Sequence, residues 1–196
     1  QVQQADQRLS KLTDVRIVHL SPSWMACAHY VGDSPESHAG EMLAAFIRES
    51  GLYERKPDAR VYGFNHPNPT KEQPQYGYEV QVTIPEDLEA APPMVKQFFP
   101  GGLYAAHAIA MGNFHEWQAL HDWVTQGNDK YVSNSARDGG QRMHGLLEEH
   151  INFVYNLHLG KDKGMDAESQ IDLLYPIRPR TQADAGGEAP ACGDPA

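Results

Sequence analysis

The chain has 196 residues and a formal net charge of −10, from 26 Asp plus Glu against 16 Lys plus Arg. That length supports one ordinary domain with a full core rather than two, and 40% hydrophobic with 21% charged residues excludes disorder through most of it. The acidic balance argues against direct binding of nucleic acid by this chain, and it favours a cationic ligand over an anionic one.

Residues 1–14 are polar, with Leu9 and Leu12 at i, i+3, which predicts a short helical lead-in or linker. They cannot supply the apolar core of a signal peptide, and no window approaches the roughly 18 apolar residues of a membrane helix. The expected location is the cytoplasm. Because the chain begins with Gln1 rather than Met, something upstream is expected to have been removed, and export behind a cleaved leader is the alternative. Cys27 and Cys192 are the two cysteines, too few and too distant for a disulfide framework or a zinc site.

From Val15 the sequence VRIVHLSPSWMACAHYVG reads as strand, turn, strand and glycine. The pattern returns in VKQFFPGGLYAAHAIAMG from Val95, an ungapped offset of 80 residues. Trp24/Tyr104, Ala26/Ala106, Ala28/Ala108 and Gly32/Gly112 are shared. A helix is predicted after each copy, on Met42, Leu43, Phe46 and Ile47 in the first and on Trp117, Leu120, Trp123 and Val124 in the second. Gly51 and Gly127 stand where each helix would end.

Two strands follow each helix, at Arg60–Phe64 and Tyr78–Ile84 in the first half, and at Gly145–Asn152 and Gln170–Ile177 in the second. Loops 65–75 and 156–167 are expected in equivalent places. From Arg178 to the C-terminus the chain is dense in Gly, Ala and Pro without apolar periodicity, and a disordered tail is expected over 178–196. The predicted fold is α+β. Duplicated strand–helix–strand–strand units (15–85 and 95–177) form a curved antiparallel sheet with helices on one side and a ligand crevice between the halves. That crevice is expected on faces the helices leave uncovered.

The string Gly145-Leu146-Leu147-Glu148-Glu149-His150-Ile151 is the most informative. On a strand Leu147, Glu149 and Ile151 share one face and Leu146, Glu148 and His150 the other. At least one carboxylate is therefore set in an apolar segment, where it needs a partner, a ligand cation or a proton. A carboxyl with a raised pKa in such a cleft also suits general acid–base chemistry near neutral pH. The alternative is an edge strand with one Glu in solvent and the other paired to Arg or Lys. Asp172 poses the same question in the last strand, and Glu79 lies opposite Val80, Val82 and Ile84.

Among the aromatic residues, Tyr78, Phe99, Tyr104 and Trp117 are candidate walls for a planar or cationic ligand, although helical spacing also explains Trp117 as core. The ten histidines do not assemble a metal motif: His115 and His121 lack the HExxH spacing, and His144 and His150 lie about 20 Å apart along an extended strand. No metal and no cofactor are expected, and neither a phosphate-cradling loop nor a serine-hydrolase elbow is present.

Four blocks in order, Tyr76–Asp87, Phe99–Ala105, Trp117–Val124 and Leu147–Asn152, resemble the GyrI-like effector-binding domain. That is the ligand domain of multidrug-sensing MerR-class activators, also found alone. The resemblance covers roughly Val15 to Ile177. It implies that the acid on the strand after the second helix faces a pocket for lipophilic cations, with Glu148 the best match, Glu149 its neighbour, and Asp172 a second acid. It also implies an alternative, a cyclopropanoid hydrolase using Glu148 or Glu149 as general base on water. A weaker alternative is a topoisomerase-interacting inhibitor. No helix-turn-helix is found. The expected partner is a small lipophilic or cationic molecule, and the oligomeric state stays open.

Overall fold

The computed structural model describes residues 14–72, 74–135, 143–160 and 169–185. Its strands are β1 (Arg16–Leu20), β2 (Ser23–Val31), β3 (Val61–Asn65), β4 (Gly77–Ile84), β5 (Val95–Phe99), β6 (Gly102–Ala110), β7 (Tyr131–Ser133), β8 (Leu147–His150) and β9 (Gln170–Pro179). Its helices are α1 (Pro35–Glu49), α2 (Leu52–Arg55), α3 (Glu116–Thr125), α4 (Phe153–His158) and α5 (Gln182–Ala185). The strands form a curled antiparallel sheet in the order β1-β6-β9-β8-β3-β4-β2-β5, and β7 pairs with the far end of β9. The predicted α+β architecture is what the chain adopts.

The helices form where sequence signals agree. Pro35 starts α1, its restricted φ suiting the first turn, and Gly51 follows in the left-handed conformation at φ 61. The buried face of α1, with Ala39, Leu43, Ala44 and Ile47, packs on Val80, Val82 and Ile84 of β4 and Ala26 and Ala28 of β2. Leu120 and Val124 of α3 pack on Ile109, Ile171, Leu173 and Ile177. Each long helix thus covers its own half. The opposite face curls over a third cluster built on Leu20, Met25, Tyr62, Phe64, Tyr104, Leu147 and Leu174.

The duplication carries a strand exchange. Val18 of β1 stands opposite Tyr104 of β6, and Phe98 of β5 stands opposite Trp24 of β2. The 80-residue offset maps one pair onto the other. Each repeat therefore gives its first strand to the other repeat's sheet. The remaining seam is short: β3 meets β8 through Tyr62 opposite Glu149 and Gly63 opposite Glu148.

Several boundaries differ from those expected. Strand β8 is limited to Leu147–His150, because Met143–Gly145 makes a tight turn in the left-handed region, with φ 45, 56 and 87, and Asn152 at φ 60 ends the extended run and opens α4. The loop predicted from residue 156 therefore begins inside a helix. Strand β9 runs on to Pro179, past the expected limit at Ile177, and two Arg178 guanidinium nitrogens donate to Asp184 at 2.7 and 2.8 Å. The predicted lead-in helix at residues 1–13 and the tail from residue 186 lie outside the described residues.

Candidate functional site

Strand alternation at the seam sorts the candidate residues onto two faces. On the helix side, Tyr78, Glu148, His150 and Trp117 come together around a cleft of about 390 Å³, which is also lined by Glu36, Asn65, Met111, Phe114 and Met143. Glu36 comes from the first turn of α1 and Trp117 from that of α3, so the cleft opens between those helix ends and has the β3–β8 seam as its floor. This larger crevice thus lies on the helix side, while the face without helices carries the expected crevice in smaller form, a cavity of about 170 Å³ lined by Phe99 and Tyr104 among others. The two helices sit over separate halves and leave the seam between them bare.

Gly63 makes the floor possible. A Cβ on this residue would lie 2.0 Å from the Tyr78 hydroxyl and 2.9 Å from His150 Nε2, so only glycine lets that ring reach across the sheet. The Tyr78 hydroxyl donates to Glu148 Oε2 at 2.9 Å and lies 3.1 Å from His150 Nε2. With Glu148 ionised, the single phenol proton goes to the carboxylate, and neutral His150 donates from Nε2 to the phenol oxygen. His150 Nδ1 is then a buried acceptor without a partner.

Burial dominates the protonation of this group. Glu148 is 9% exposed, and loss of solvation raises its pKa to about 7, outweighing the opposing pull of the Tyr78 bond and the Trp117 indole. The charge on Glu36 pushes the same way as burial. The Trp117 Nε1 proton makes no well-formed hydrogen bond yet favours the Glu148 anion. Burial lowers His150 to about 4, so it is neutral at physiological pH, and Tyr78 is held well above the ordinary phenol value by burial and the Glu148 charge. No Lys or Arg is among the described lining residues.

The other candidate residues lie on the opposite face. Arg60 grips Glu149 with two 2.6 Å bonds, Nε to Oε1 and Nη2 to Oε2. Asp172 pairs with Arg16 at 2.6 Å, and Glu79 meets His66 Nδ1 at 2.7 Å. Phe99 lies against Tyr62, ring centroids 6.0 Å apart, and Tyr104 is buried in the same cluster, its pKa pushed up to about 12 by burial. These five residues do not reach the Glu148 cleft. Conversely, Glu36, Asn65, Met111, Phe114 and Met143 were not among the predicted wall residues. Glu36 comes from a helix start, Asn65 from the last position of β3 and the others from loops and a turn, where no periodicity marks them.

Among the described residues no group of three or more His, Cys, Asp or Glu side chains is placed to hold a metal ion. Nor is any helix there long and apolar enough to cross a membrane. What remains is an aromatic, thioether-lined cleft with a carboxyl at its floor and a second, Glu36, bonded by the Tyr76 hydroxyl at 2.7 Å. Chemically it offers cation–π faces, apolar contact and negative charge.

No curated protein sequence matches this one. In fold, the chain is similar to EcmrR in its DNA complex, with 12% identity, a TM-score of 0.57, 90% of this chain covered and 61% of that one; it thus spans about three fifths of that protein. It is also similar to the isolated EcmrR C-terminal domain, with 12% identity, a TM-score of 0.54 and coverage of 84% and 97%. A hydrolase from Listeria innocua follows, with 8% identity, a TM-score of 0.51 and coverage of 89% and 97%. At these identities the likeness is one of fold. The sequence itself matches the Cass2 model, described as an integron-associated effector binding protein, over residues 16–177, a span that takes in every element around the cleft, and the chain belongs to that GyrI-like effector-binding family.

Proposed function

We propose that the protein binds lipophilic aromatic cations in the cleft between α1 and α3, with Glu148 as countercharge. The observation that supports this most is a carboxylate at the floor of an apolar cleft with no Lys or Arg among its described lining residues. Such a group is poorly solvated and gains most from a cation whose charge is spread over aromatic rings, since that ligand is itself easily desolvated. Tyr78 and Trp117 supply ring faces, and Met111 and Met143 supply a wall that adapts to different shapes.

The test is a calorimetric titration at pH 8 with tetraphenylphosphonium and with neutral triphenylphosphine oxide. Glu148→Gln should weaken the cation about tenfold or more, on the scale of a lost charged interaction, and leave the neutral compound within about twofold. Equal loss for both, or no loss, would remove Glu148 from the role.

A second reading is favoured by one feature, the Glu148 pKa near neutrality with a phenol bonded to it. In that reading the carboxylate takes a proton from water, and the hydroxide formed attacks a strained cyclopropane carbon. The ring bond breaks, its electron pair moving into the conjugated carbonyl of the alkylator. Mass-spectrometric detection of ring-opened product, lost in Glu148→Gln and falling as pH drops below about 7, identifies a hydrolase; unchanged alkylator identifies a binder.

A further inference from the structure

Trp117 and Met143 have cavities on both sides. Beyond the Glu148 cleft they also line a second space of about 360 Å³ with Gln118, His121, Ser135, His144, Leu146 and Tyr175. His121 stands one helical turn after Trp117 on α3, so their side chains neighbour each other on one face of the helix, about 6 Å apart along its axis. The two chambers therefore adjoin.

Their chemistry differs. No carboxylate is among the described residues of the second chamber. Its polar groups form a loosely bonded chain: Ser133 Oγ lies 2.9 Å from Ser135 Oγ and 3.5 Å from the Tyr175 hydroxyl, which lies 3.3 Å from His121 Nδ1. Ser133 has one proton and gives it over the shorter distance, to Ser135. The Ser135 proton is then left for another acceptor. The Tyr175 contacts are near the long limit for hydrogen bonds, so the phenol loses little by turning to a ligand. The Gln118 amide is tied to Asp122 Oδ1 at 2.8 Å.

We propose that the two chambers form one bipartite site for a lipophilic cation carrying a neutral hydrogen-bond-accepting arm, the cation lying over Glu148 and the arm's carbonyl oxygen meeting Tyr175, His121 and Ser135 beyond Trp117. This rests on the cation-binding reading and narrows it from lipophilic cations in general to those with a polar oxygen set off by a short chain. The second chamber is built from Tyr175 of β9, from α3, from Ser135 after β7 and from the turn at 143–146, and it shares only Trp117 and Met143 with the Glu148 cleft.

The test pairs pentyltriphenylphosphonium with (4-carbamoylbutyl)triphenylphosphonium, equal in chain length and charge. The carboxamide should bind the unsubstituted protein about fivefold to tenfold more tightly, the scale of one or two hydrogen bonds. That gain should vanish in Tyr175→Phe and in His121→Phe and shrink in Ser135→Ala, while affinity for the pentyl compound stays within about twofold in all three. His121 is exposed, so its replacement keeps the comparison valid if Tyr175→Phe perturbs the buried strand. Pentyl binding without any gain from the carboxamide, or a gain that survives all three substitutions, overturns the second chamber and leaves the first intact. Failure of both probes to bind overturns both readings together.

Discussion

Glu148 and His150 respond to pH in opposite senses, because burial disfavours the charged form of each. Glu148 rises from 4.5 to about 7. Between those values the folded protein holds a proton that the unfolded chain releases, so this residue's contribution falls as pH rises through the window, by about 3 kcal/mol in all. His150 falls from 6.5 to about 4, so over that range the unfolded chain holds the extra proton and stability rises with pH. In the unaltered protein the two slopes largely cancel. Glu148→Gln leaves only the histidine slope, so its melting temperature should exceed that of the parent by a margin that widens from pH 4.5 to 7 and then stays constant, reaching several degrees. Differential scanning calorimetry in matched buffers measures the margin, and a margin independent of pH would mean that Glu148 is not buried as described. Cation binding follows the same titration: a protonated carboxyl gives no countercharge, so affinity for tetraphenylphosphonium should fall as pH drops through about 7. Triphenylphosphine oxide should show no such trend.

At the scale of single elements, β3 does two jobs with neighbouring residues. Gly63 clears the space for the Tyr78 hydroxyl, and Arg60, just before the strand, neutralises Glu149 on the reverse face. Gly63→Ala should displace Tyr78 from Glu148, costing about 2 kcal/mol or more as an overpacked core position and weakening cation binding along with it. Chemical denaturation and the phosphonium titration check the two effects, and wild-type values for both would show that the ring does not need that space. Arg60→Met leaves Glu149 buried without its partner and should cost about 2 kcal/mol, below the range for fully buried pairs because Arg60 is partly exposed. Adding Glu149→Leu should recover most of that loss. These jobs also mark what the sequence could tell. Strand alternation in Leu147-Glu148-Glu149-His150 separates the two acids onto opposite faces, and it puts Glu148 with His150 from sequence alone. Which face carries the cleft depends on where two helices begin and on the register of β8 against β3, the latter set by contacts between residues about 90 positions apart. For that reason Glu79, Asp172, Phe99 and Tyr104 resemble Tyr78 and Trp117 in sequence, yet stand on the other side of the sheet.

For the molecule as a whole, the exchange of β1 and β5 decides how independent the halves can be. The two-residue links Ser21-Pro22 and Pro100-Gly101 look like hairpin turns, and the duplication reads as two self-contained units. Instead β1 continues the second half's sheet through β6, and β5 continues the first half's through β2. The ungapped 80-residue offset contains this information only once the partners are known, since Val18–Tyr104 and Phe98–Trp24 interchange under it. A fragment ending near residue 90 would hold β1 without β6 and leave the β2 edge without β5, and the fragment beginning there would have the mirror-image defect. Each would also expose its side of the β3–β8 seam, including Glu148 or Tyr78, as an open edge with unpaired backbone groups. The intact chain should therefore unfold in one cooperative step, with far-UV circular dichroism and tryptophan fluorescence giving coincident denaturant curves. Residues 14–90 and 91–185 expressed separately should each be unfolded or aggregated, and co-expression should restore a soluble pair that binds tetraphenylphosphonium. Two separate transitions, or a folded single fragment, would show that the exchanged strands are dispensable. In that case the cleft at their junction would be held by the short β3–β8 seam alone, and ligand affinity should then be as insensitive to substitutions in β1 and β5 as the fold itself.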